Sequence, residues 1–75
     1  MRQLTSEEVI YRTYKTAKIF FVPSTGSCNL QFKLPNDTWV NDGDPYTQSE
    51  SVSLDQGDVQ WRVVLNGAAT AYIDD

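Results

Sequence analysis

The chain has 75 residues, 40% of them hydrophobic, with a formal net charge of −4, one cysteine and no histidine. A single domain of this size buries only about 60% of the surface its unfolded chain exposes. The composition excludes an internal disulfide, a His/Cys zinc set and every catalytic pair that needs an imidazole.

The N-terminus, Met1-Arg2-Gln3-Leu4-Thr5-Ser6-Glu7-Glu8, has no apolar core of the kind a secretory signal needs, so synthesis and folding in a cytosol are expected. Thr5 and Glu8 have the spacing of a helix capping box. The residues that follow, Val9 to Tyr14, are β-branched and aromatic instead, which favours a strand preceded by a loose N-terminal arm over 1–8. Ala17 to Val22 predicts a second strand, stopped by Pro23, in which Phe20 faces away from Ile19 and Phe21. A strand apolar on both faces needs cover on both, and a second chain would supply it.

Cys28 to Leu34 alternates cleanly, placing Cys28, Leu30, Phe32 and Leu34 on one face. Two turns, Pro35-Asn36-Asp37 and Asn41-Asp42-Gly43-Asp44-Pro45, then bracket a short strand carrying Trp39. Ser51 to Leu54 repeats the alternation briefly. Val59 to Leu65 puts Val59, Trp61, Val63 and Leu65 inward with Gln60 and Arg62 outward, and Ala69 to Ile73 closes the chain with Ala71 and Ile73 on one side. Asp55-Gln56-Gly57-Asp58 and Asn66-Gly67 supply the remaining turns. Short strands separated this regularly predict an all-β fold, a small antiparallel β-sandwich or barrel of about six to seven short strands, formed by residues 1–75 as one domain.

The inventory of chemistry is small. Cys28 is in phase with Leu30 and Phe32 and reads as a buried, inert thiol. Asp37, Asp42 and Asp44 lack the spacing of an EF-hand loop, and Asp42-Gly43 reads as a hairpin tip, so no metal and no cofactor are expected. No glycine-rich phosphate loop is present, and a sandwich this small leaves no room for a catalytic cleft between paired carboxylates. An enzyme is therefore not expected. Asn36-Asp37-Thr38 has the form of a glycosylation acceptor, expected to stay unmodified in a chain made without a signal.

Charge is unevenly spread along the sequence. Residues 1–35 carry five cations against two acids, for +3, and residues 36–75 carry one cation against eight acids, for −7. With the acidic half repelling phosphate and no dense basic run, nucleic acid is not an expected partner. Nor is a membrane, since no run approaches the roughly 18 apolar residues that span one as a helix.

The succession from Asn36-Asp37-Thr38-Trp39 through Val52 and Leu54, Gly57, Trp61-Arg62-Val63-Val64 and Asn66-Gly67 to Ala71-Tyr72-Ile73 resembles small β-sandwich structural proteins of tailed bacteriophages, of the capsid-decoration, cement and fibre-associated types. The resemblance covers about two-thirds of the chain and leaves out its N-terminal third. It implies a non-enzymatic virion component, made in the host cytoplasm and binding the major capsid protein or another virion protein in multiple copies or as a homo-oligomer. The expected partner surface is the basic, aromatic N-terminal third, namely Arg2, Leu4, Tyr11, Arg12, Tyr14, Lys15, Lys18 and Phe20. The alternative expectation is a carbohydrate-binding or adhesin-like module displayed on the particle, in which Trp39 and Tyr46 stack on sugar rings.

Overall fold

The structure, a computed structural model, describes residues 1–11, 16–54 and 59–74. Among them are eight strands and no helix: β1 (Arg2–Gln3), β2 (Ile10–Tyr11), β3 (Ala17–Val22), β4 (Ser27–Lys33), β5 (Trp39–Asn41), β6 (Glu50–Leu54), β7 (Gln60–Asn66) and β8 (Thr70–Asp74). They form two antiparallel four-stranded sheets. Sheet A has the order β1-β8-β3-β6 and sheet B the order β2-β7-β4-β5. This is the expected small β-sandwich, with more strands than the alternation alone reveals.

The inner faces supply the core. Ala17, Ile19 and Phe21 of β3, Ala71 and Ile73 of β8 and Leu54 of β6 meet Cys28 and Leu30 of β4, Val63 of β7 and Ile10 of β2. Alternation in these strands produces the two-layer packing directly, because successive side chains point to opposite faces. Trp61 and Leu65 pack against the core from β7, and Trp61 lies tilted against Phe32 at 5.8 Å. Val59, expected inward, precedes β7 and is 40% exposed.

The N-terminal segment expected as a loose arm is built into both sheets. Arg2 and Gln3 pair with Ile73 and Tyr72. The Leu4 N–H then donates to the Ala71 carbonyl at 2.8 Å, and the Leu4 side chain is 2% exposed. Beyond a tight turn, the Glu7 N–H donates to Val63 at 2.8 Å and the Ser6 hydroxyl accepts from the Leu65 N–H at 3.0 Å. Ile10 and Tyr11 pair with Trp61 and Gln60. The first eleven residues thus cross from sheet A to sheet B. The Thr5/Glu8 signal keeps its local chemistry without a helix: Glu8 Oε1 accepts from both the Thr5 N–H and the Thr5 hydroxyl, each at 3.1 Å.

The turn residues do not all make hairpins: Asp42-Gly43, expected as a hairpin tip, lies where the chain runs on along β4, with the Asp42 N–H donating to the Leu30 carbonyl at 2.7 Å and Tyr46 bridging Cys28. Leu34 and Thr38 close the β4–β5 hairpin through a 2.8 Å bond, with Asp37 at φ 67°. Gly26 has a steric reason to be glycine, because a Cβ there would lie 1.9 Å from the Asn66 carbonyl oxygen. The expected turn over 55–58 lies outside the described residues.

Candidate functional site

Two outer faces carry the side chains that do not serve the core. On sheet A, the outward positions of β3 are Lys18, Phe20 and Val22, and those of β8 are Thr70, Tyr72 and Asp74. Phe20 and Tyr72 are direct cross-strand partners, flanked by the Lys18–Asp74 and Val22–Thr70 pairs. The Lys18 ammonium lies 5.6 Å from the Phe20 ring centroid, and Val22 is 37% exposed. Two aromatic side chains side by side on the solvent face of two adjacent strands give a compact apolar patch with one cation against it.

On sheet B, β5 pairs Trp39 with Lys33 and Asn41 with Gln31, while β4 pairs Gln31 with Arg62 of β7. Register therefore brings residues distant in sequence onto one outer surface. The Arg62 guanidinium sits 4.4 Å from the Trp39 ring centroid, and the Lys33 ammonium 5.9 Å from it. Arg62 Nε donates to Gln31 Oε1 at 2.7 Å, and Gln31 Nε2 donates to Asn41 Oδ1 at 2.9 Å. Arg62 also pairs with Glu7 at 3.3 Å, and Lys33 with Asp37 at 3.5 Å. A shallow groove of about 380 Å³ runs beside this cluster, lined by Lys33, Leu34, Pro35, Asp37, Val59 and Gln60.

The expected partner surface is divided by the fold. Lys18 and Phe20 share the outer face of sheet A. Leu4 belongs to the core and is unavailable to any partner. Tyr11, 50% exposed, lies on the edge strand of the other sheet. Arg2 is held at the sheet A edge by an ion pair with Glu8. That pair acts on Glu8 second to the Thr5 backbone N–H, and together they hold its carboxyl below the usual glutamate range. Arg12, Tyr14 and Lys15 lie outside the described residues.

The two expected sugar-stacking residues part company as well. Trp39 is on the outer face of sheet B. Tyr46 turns inward, stacking on Phe21 at 4.2 Å while its backbone bridges Cys28, and burial raises the pKa of its phenol. Cys28 is fully buried, and burial likewise pushes its thiol up. Among the described residues no three His, Cys, Asp or Glu side chains gather as a metal set.

Sequence reasoning missed Tyr72 and Arg62 as site residues. The signal for Tyr72 is an aromatic in the outward phase of its strand, as with Phe20. Arg62 becomes visible only when the β4–β5 and β4–β7 registers are known together. No family model, curated protein or solved structure matches the chain.

Proposed function

We propose that the chain is a non-enzymatic structural protein of a tailed-phage virion, made in the host cytoplasm and binding the capsid surface as a decoration or cement protein. The observation that carries this reading is the outer face of sheet A, with Phe20 and Tyr72 paired across β3 and β8 beside Val22 and Lys18. Aromatic side chains contribute large contact area, and surfaces enriched in them suit protein–protein contact. One such face per copy, repeated over a particle, binds through avidity rather than through a single tight site. Lys18 supplies a salt-sensitive contribution toward an acidic partner surface.

The test is co-sedimentation of labelled chain with purified virions across a salt series. Saturable binding is expected, with Phe20→Ser weakening it at least tenfold and Lys18→Glu removing most of its salt dependence. Binding untouched by either change would remove sheet A as the docking face. Absence of any particle binding would remove the virion role.

A second reading, a carbohydrate-binding module, is favoured by one specific observation: Trp39 lies outward among Arg62, Gln31, Asn41 and Lys33. An aromatic ring beside amide and guanidinium donors is the chemistry that binds a pyranose, through its C–H face and its hydroxyls. A glycan array separates the two readings: saturable sugar binding lost in Trp39→Ala supports the module, and silence removes it.

A further inference from the structure

Each sheet of an open sandwich has two edges, and among the described residues three of the four edge strands are short. β1 and β2 have two residues each and β5 has three, whereas β6, at the edge of sheet A, has five. Natural sheets protect long edges with lysine, proline, inward-pointing charge or a bulge, because unpaired backbone groups template another strand. β6 reads Glu50-Ser51-Val52-Ser53-Leu54 and has neither lysine nor proline. Its one charge, Glu50, shares the inward phase of Val52 and Leu54 opposite Phe21 but stands exposed at the first position of the strand, leaving the four residues after it without a charge. Its five residues pair with β3 without interruption, so no bulge turns the edge away. Among the described residues, no backbone hydrogen bond leads from β6 to anything but β3. Val52 points inward and packs against the core, yet remains only half-buried at this edge.

We propose that two copies of the chain join through β6, antiparallel about a two-fold axis at Val52, fusing their A sheets into one sheet of eight strands. In this register Val52 meets its counterpart Val52 on the inner face, and the missing cover of that side chain is supplied. Ser51 falls opposite Ser53 on the outer face, and Glu50 falls opposite Leu54 rather than another carboxylate. The central three residues are complementary to themselves, as a two-fold interface demands, with valine against valine, serine against serine and no like charges opposed anywhere in the ladder. That self-complementarity is what selects a second copy as the occupant. A five-residue ladder buries less than the roughly 1,200 Å² of a stable standard interface, so the dimer is weak and concentration-dependent. The pairing is independent of what the outer face of sheet A binds.

Sedimentation velocity of the full chain from micromolar to millimolar concentration tests it. A monomer–dimer equilibrium is expected, weakened at least tenfold by Val52→Lys, which sets two ammonium groups against each other at the axis. Circular dichroism checks that this variant is folded. Should it fail to fold, hydrogen exchange on the unaltered chain decides instead: alternate β6 amides gain protection as concentration rises. A chain that stays monomeric at millimolar concentration overturns the proposal. So does a dimer whose β6 amides stay unprotected or whose affinity ignores Val52→Lys. Protection of β6 that appears only when another virion protein is added also overturns it, because the edge then belongs to a foreign strand.

Discussion

Cys28 shows how far a single residue can be read from its phase. It alternates with Leu30, and the structure buries both, with the Cys28 sulfur 3.8 Å from the Thr70 carbonyl oxygen. A thiol that is buried and held above its ordinary pKa is a poor nucleophile. The native chain is therefore expected to react with a thiol-specific disulfide reagent at least a hundredfold more slowly than the chain in denaturant, which a stopped-flow absorbance assay measures. Arg62 shows the limit of the same reasoning. Alternation places it outward, but its contacts with Trp39, Gln31 and Glu7 come from three other stretches of chain. Arg62→Ala should lower stability by about 1–2 kcal/mol, the combined scale of a partly desolvated cation–π contact and a charge-assisted hydrogen bond. The midpoint of urea unfolding reports it, and Arg62→Lys recovers only part because a lysine lacks the planar fork.

At the scale of elements, β3, β4, β7 and β8 were legible because each is long enough to show a period of two. β1 and β2, with two residues each, have no period to show. Their places are set by partners at the far end of the chain, Ile73, Tyr72, Trp61 and Gln60, which no local pattern reveals. The outward phase of Phe20 was legible for the same reason as β3, and its pairing with Tyr72 was not, since β3 and β8 lie far apart in sequence. Leu4 anchors the segment that crosses between the sheets. Leu4→Ala should cost about 2–5 kcal/mol, the range for deleting a buried leucine side chain, enough to unfold much of a domain this small. Glu8 gives the same segment a pH dependence. Its carboxyl is held below the ordinary value near 4.5 in the folded chain, first by the Thr5 N–H and then by Arg2. A depressed carboxylate stabilises fully above its unfolded pKa, and that stabilisation is lost as pH falls through the folded value. Protection of the Leu4 amide against hydrogen exchange, corrected for intrinsic rate, should hold from neutrality to about pH 5 and drop below it. In Glu8→Gln the drop should be absent.

For the whole molecule, the charge division read along the sequence does not become a division between the sheets. Sheet A combines β1 and β3 from the basic half with β6 and β8 from the acidic half, and sheet B combines β2 and β4 with β5 and β7. Lys18 stands opposite Asp74, and Arg62, the one cation after residue 35, pairs with Glu7. The same interleaving makes most contacts distant in sequence, which predicts folding in the millisecond-to-second range rather than faster.

The pairing of Arg2 with Ile73 has a consequence for connectivity. The first and last strands are neighbours, so the fold is topologically close to a ring that happens to be cut at one corner. Where the ring is cut should matter little, provided the new break falls in exposed backbone. A circular permutant that links residue 75 to residue 1 through a short Gly/Ser segment and opens at exposed Gly43, where an added Cβ would meet nothing within 4 Å, should give a heteronuclear NMR spectrum that overlays the parent away from the two junctions.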